Sequence, residues 1–156
     1  MYTAKNYSNY AILWYWALSM VPHYYSLYLI AQANKRSYDE KRFQAQEHTQ
    51  LIEATILKKS FEIPELLQAV SRNNLELFPL FVTSVILGTA SGAKDNESLN
   101  AHAIWFLIFR IIYSFVYVAK LGTYSQKALS LVSSYFPIYI IYVSAEKLSG
   151  RYLMTV

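Results

Sequence analysis

Four apolar runs, each close to the length needed to cross a bilayer, divide this chain and leave little of it over. They cover about Tyr10–Ala33, Pro64–Gly88, Ala101–Lys120 and Lys127–Ala145. A spanning helix takes roughly 20 residues. Inside lipid a helix is also the open-chain structure that satisfies its own backbone hydrogen bonds. The expectation is an all-α integral membrane four-helix bundle, with residues 1–156 as a single domain and no room for a soluble one. Composition agrees: 54% of the residues are hydrophobic and 15% charged, where soluble domains carry roughly a quarter charged residues.

The connections read as follows. Met1 to Asn9 is short and polar. The first run contains Trp14, Trp16, Pro22 and His23; it is too long and aromatic for a cleaved signal peptide and lacks a small-residue cleavage site. The main hydrophilic connection covers about residues 34–62, with Lys35-Arg36, Lys41-Arg42 and Lys58-Lys59 set among Asp39, Glu40 and Glu47. Within it, Leu51, Ile52, Ile56 and Phe61 have the spacing of a short amphipathic helix on the membrane surface. Pro64 suits the first turn of the second helix, Glu65 complements the positive end of its dipole, and Pro79 is expected to kink it. Thr89 to Asn100 reads as a turn-rich link, and Gly122-Thr123-Tyr124-Ser125 as a tight turn. Pro137 falls inside the fourth run, and Glu146 to Val156 forms a tail.

Basic residues are placed unevenly. With four spans, the first and third connections share one face and hold Lys35, Arg36, Lys41, Arg42, Lys58, Lys59, Lys120 and Lys127. The other face has Lys5, Lys94, Lys147 and Arg151. Positive residues favour the cytoplasmic side, so the long connection is expected there and both termini opposite, in the lumen if the membrane is the endoplasmic reticulum.

One polar cluster interrupts this apolar pattern. Arg72-Asn73-Asn74-Leu75-Glu76-Leu77-Phe78-Pro79 runs straight into the second apolar segment. Arg72 and Glu76 are four apart and Asn73 and Glu76 three apart, so all three can share a helix face. Charged groups at that depth are costly in lipid and turn inward to a bundle or a wet cavity. The third run adds Arg110, Tyr113 and Tyr117 at i, i+3, i+7, one helical stripe. Arg110 is expected to pair with Glu76 or to point into a polar pocket. Either the group is a structural ion pair with packed tyrosines, or it is a pocket. In a pocket, arginines grip carboxylates and tyrosines orient or protonate a reacting group. Lys127 opens the fourth span, as a further cation or a snorkelling side chain.

Other chemistries find no support. The chain has no cysteine, so disulfides, zinc-thiolate sites and a protein thiol nucleophile are excluded. His23, His48 and His102 lack metal-ligand spacing. No serine-nucleophile motif, glycine-rich phosphate loop or nucleic-acid motif is present. Tyr135, Tyr139 and Tyr142 make a second aromatic stripe, read first as packing and otherwise as the wall of an aromatic pocket.

These residues resemble the membrane-associated proteins in eicosanoid and glutathione metabolism, the MAPEG family. Its second-helix signature, an arginine shortly before an asparagine, then glutamate three and proline six residues beyond the asparagine, is matched by Arg72-Asn73, Glu76 and Pro79. A third-helix arginine followed by aromatic or histidine positions three and seven residues on is similar to Arg110, Tyr113 and Tyr117. The resemblance implies homotrimers of four-helix subunits, often in the endoplasmic reticulum, with active sites between subunits. It also implies bound glutathione, activated as thiolate toward lipophilic electrophiles. By position, Arg72, Asn73, Glu76 and Lys127 are then expected to hold the cofactor, and Arg110, Tyr113 and Tyr117 to serve catalysis. Two positions depart from the pattern: Ala69 stands where a further arginine is usual, and Lys127-Ala128 where arginine is often followed by serine. Three functions follow as expectations. One is a glutathione-dependent transferase or isomerase acting on a lipophilic substrate. Another is a glutathione-independent cyclase or isomerase of a terpenoid or polyketide. The third is a non-catalytic membrane scaffold.

Overall fold

A computed structural model describes residues 5–43, 50–92 and 95–153, with side chains over 5–35, 62–92 and 95–150. It consists of four helices: α1 (Ser8–Phe43), α2 (Gln50–Ser91), α3 (Asn96–Val118) and α4 (Thr123–Leu153). Helices α2 and α3 each pack against all three others, whereas α1 and α4 make no contact among the described residues. Polar groups on α2 and α3 are therefore the ones most able to be enclosed.

The helices overrun the apolar segments. Much of the connection expected over 34–62 is helical backbone, with α1 continuing to Phe43 and α2 beginning at Gln50. Pro64 is thus inside α2 and does not open a new helix. Its ring removes one N–H, a loss that helices tolerate when the freed carbonyl finds water or a neighbour. The side chains of Leu51, Ile52, Ile56 and Phe61, like those of the basic residues from Arg36 to Lys59, lie outside the described residues, as do Lys94 and the side chain of Arg151. At the other elbow, the turn falls earlier than expected. Lys120 (φ 54°) and Gly122 (φ 98°) take left-handed conformations, and α4 starts at Thr123, so Thr123 to Ser125 are already helical. Gly122 suits that reversal because it has no Cβ to clash. Helix α3 opens on Asp95, whose carboxylate accepts from the Ser98 N–H at 3.3 Å.

Among the described residues, three segments are long and apolar enough to cross a membrane: Glu62–Ser91, Asn96–Val118 and Thr123–Gly150. A third or less of each is buried inside the chain, which leaves most of their apolar surface for lipid or other subunits. The first run, expected as a fourth span, falls short of that measure. Its tyrosines, tryptophans and histidine carry polar atoms that lower its mean hydropathy, although their rings are largely apolar. Tyr10, Leu13, Trp14, Tyr24 and Tyr28 nonetheless all face outward, as in an aromatic membrane belt.

The core joins α1, α2 and α3 through Ala11, Tyr15, Phe81, Val85, Ala103 and Phe106. Phe81 and Phe106 stack with ring centroids 4.2 Å apart, and Tyr15 meets both edge-on at 5.3 and 4.8 Å. At the end of the bundle bearing the N-terminus, Asn6 donates to Thr89 at 3.1 Å, and Asn100 bonds the Tyr7 N–H and the Lys5 carbonyl. At the opposite end Glu62 pairs with Lys120.

Candidate functional site

Helix α2 turns two polar faces in different directions. Successive residues advance by about 100° around a helix axis. Asn74 is thereby directed away from Arg72 and Glu76, which share a face, while Asn73 lies between.

Asn74 and Asn73 receive Arg110. The guanidinium, completely buried, donates Nε–H to Asn74 Oδ1 at 3.0 Å and Nη2–H to Asn73 Oδ1 at 3.0 Å. A second Nη2 hydrogen bond also goes to Asn74 Oδ1. Tyr113, one turn along α3, places its ring 4.5 Å from the guanidinium carbon. Tyr15 from α1 braces the other side by donating its hydroxyl to the Asn74 carbonyl at 2.7 Å. The expected Arg110–Glu76 ion pair is not formed; Glu76 is exposed on the far face of α2 and acts on Arg110 only at longer range. The charge is instead balanced by two carboxamide oxygens and an aromatic face. Such dipoles lower the cost of a buried cation without a carboxylate. Arg110 Nη1 and Asn74 Nδ2 make no hydrogen bond within this network.

Arg72 and Glu76 line a groove of about 440 Å³ together with His23, Gln68, Ser71 and Leu75. Neither charged side chain forms a hydrogen bond or ion pair with a described residue. Ser71 is committed elsewhere, donating to the Ser19 carbonyl at 2.7 Å, so it knits α1 to α2 beneath the groove. A volume of a few hundred cubic ångströms suits a small-molecule ligand.

The expected site residues are therefore partitioned. Arg72 and Glu76 share the groove. Asn73 turns its carboxamide oxygen to Arg110, so the common face proposed for Arg72, Asn73 and Glu76 splits in two. Arg110 and Tyr113 are buried behind α2, and Tyr117 is half-buried with its ring 5.8 Å from that of Tyr113. Lys127 is exposed near the start of α4 and bonds to no described residue. Ala69 is half-buried and Ala128 exposed. On the fourth helix, Tyr135 and Tyr139 stack at 5.7 Å and Tyr142 donates to Glu146 at 2.9 Å. Tyr139 in turn stacks on His102 at 5.5 Å, so Tyr139 packs between α3 and α4, while Tyr135 and Tyr142 lie on the exposed face of α4.

The profile of the MAPEG family matches residues 11–145, from the first helix to the last. The chain belongs to the MAPEG family. No curated protein and no solved structure matches it. With three apolar helices, this MAPEG protein is a multi-pass membrane protein.

Four participants escaped sequence reasoning. Asn74 was adjacent to Asn73 but lacked a signature spacing. Tyr15 is one of many first-helix aromatics, and its burial is a tertiary fact. His23 and Gln68 signal themselves only through the groove; Gln68 precedes Arg72 by four residues, a spacing that would have placed it on the same face.

Proposed function

We propose that this MAPEG protein is a glutathione-dependent transferase or isomerase acting on a lipophilic electrophile. In this reading it is a homotrimer in the endoplasmic reticulum membrane with both termini lumenal. The family includes glutathione transferases and isomerases. The observation that carries the proposal is the pair Arg72 and Glu76: opposite charges one turn apart on one groove wall, neither committed to a partner among the described residues. That pattern fits the amino-acid end of glutathione, with its carboxylate on the Arg72 guanidinium and its ammonium on Glu76. Gln68 offers a carboxamide to the peptide. Glutathione, when bound, supplies a nucleophilic thiol. The chain's part is to hold it: Arg110 fixes Asn73 beside the groove wall, Tyr113 and Tyr117 pack behind α2 and steady that guanidinium, and Lys127 is assigned as a further cation across a subunit boundary. The lipophilic substrate enters from the bilayer, where the apolar flanks of the helices are exposed.

Equilibrium dialysis of labelled glutathione against the detergent-purified protein tests this. Saturable binding near one per chain is expected. Arg72→Ala and Glu76→Gln should each weaken it about tenfold or more, the effect of losing a charge-assisted contact of at least ~1.4 kcal/mol. Absence of saturable binding by a monodisperse wild-type sample would reject the proposal.

One observation favours the cofactor-free alternative. Ala69 stands where a second guanidinium would face the groove, leaving Arg72 the single permanent cation among the described groove residues for a peptide with two carboxylates. Turnover of a lipophilic substrate at full rate without glutathione would establish that reading instead.

A further inference from the structure

We infer that His23, on α1, is the proton-exchanging residue of this groove: it takes the thiol proton of bound glutathione and returns it to the substrate. The inference rests on the reading of the groove as a glutathione site.

The two described histidines differ in how their rings are held. His102 has Nδ1 2.7 Å from the Ser98 carbonyl, so that nitrogen is the donor, and the ring is stacked on Tyr139. Its tautomer and orientation are set by its own helix and a neighbour. His23 faces the groove with Arg72 and Glu76. It makes no hydrogen bond to a described residue, and its ring contact is edge-on to Tyr24 at 5.5 Å. No described residue therefore occupies either ring nitrogen. Histidine is the side chain that ordinarily gains and loses a proton around neutral pH.

The other groups facing the groove are less suited to exchange. Arg72 has donors and no acceptor. Ser71 already donates to Ser19. Gln68 and Leu75 do not titrate. Glu76 is the charged neighbour on α2 that accepts the ligand's ammonium in the proposed pose, and Tyr24 beside His23 points with the exposed face of α1. A base on α1 opposite a cation on α2 brings both requirements of thiolate formation into one groove: a proton acceptor and a nearby positive charge. This supplies what Ala128 lacks on the fourth helix.

The step balances. The S–H bond breaks, its electron pair stays on sulfur, and the proton goes to an imidazole nitrogen. With an epoxide as the electrophile, the sulfur pair forms a bond to a ring carbon while that carbon's C–O bond breaks and its pair stays on oxygen. The imidazolium returns its proton there, leaving neutral imidazole.

The test uses the full-length protein in detergent with glutathione as probe, and reads the ultraviolet thiolate band of the bound ligand against pH. His23→Gln should bind glutathione within about twofold of wild type, weaken the thiolate band at neutral pH, and slow transfer to the electrophile by at least ~100-fold, the lower end for a positioned base. His23→Asn, checked for the same elution volume, serves if the first variant does not assemble. A thiolate band and pH profile unchanged in a variant that still binds glutathione would overturn the role of His23 alone. Glutathione failing to bind wild type would overturn the groove reading and this inference together.

Discussion

The exchange of Glu76 for Asn74 as the partner of Arg110 shows what helical spacing can and cannot decide. Spacing places Arg72 and Glu76 on one face, and they do share the groove. It does not say which face α3 meets, because that depends on the rotation of α2 in the bundle. A serine bond from α2 to α1 and the Tyr15 bond to the Asn74 carbonyl fix the rotation. Arg110 therefore meets carboxamides. Asn74→Ala removes the acceptor of two guanidinium donors and is expected to destabilise the protein by about 1.5–3 kcal/mol, the range for hydrogen bonds to charged groups. Asn73→Ala, with one bond to lose, should cost less. Replacing both partners, Arg110→Met with Asn74→Leu, should recover most of the stability, since a buried charge and its partner can give way together to apolar side chains. Thermal unfolding in detergent measures all three. A double variant no more stable than Asn74→Ala alone would mean that Arg110 has partners beyond this network.

At the scale of elements, apolar run length was enough to count the helices, and the family pattern identified which two carry the polar groups. The ends were illegible for a physical reason. A helix leaving the membrane keeps its backbone bonds after its side chains become polar, so hydropathy marks the lipid boundary and not the helix boundary. Hence α1 and α2 extend into the hydrophilic connection. Close packing among α2, α3 and α4 was equally unreadable, although Gly88 is central to it. A Cβ there would lie 2.8 Å from Leu99 Cδ1 and 2.9 Å from Ile140 Cγ2, and Leu99 and Ile140 are both buried. Gly88→Ala presses on Ile140 Cγ2, which branches at Cβ and cannot swing aside as the Leu99 methyl can, and should already cost about 1 kcal/mol. Gly88→Leu forces the helices apart and should cost about 1–3 kcal/mol, read as a lowered unfolding midpoint. Equal stability of the two variants would show that α2 is free to move away from its neighbours.

For the whole molecule, the groove has a use only if it sits at the right depth and on the right side. The two ends of the bundle differ: Lys5 and Lys147 lie at the end where the N-terminal segment bonds to α2 and α3, and Glu62 and Lys120 pair at the other. Arg72, ten residues into the Glu62–Ser91 segment, is nearer the second end. The excess of lysine and arginine in the connections at that end predicts it to be cytoplasmic, which would open the groove toward a water-soluble peptide such as glutathione. The absence of native cysteine makes the orientation directly measurable, because a single introduced thiol has no competitor. Tyr124→Cys, at a residue 91% exposed beside the α3–α4 elbow, should react with a membrane-impermeant maleimide in sealed microsomes. Lys5→Cys, whose exposed side chain is free of the backbone bond to Asn100, should react only after detergent is added. The reverse pattern would put the groove on the lumenal side. Reaction of both without detergent would mean that the bundle does not span, and the polar cluster of α2 would then face water and not a cavity in the membrane.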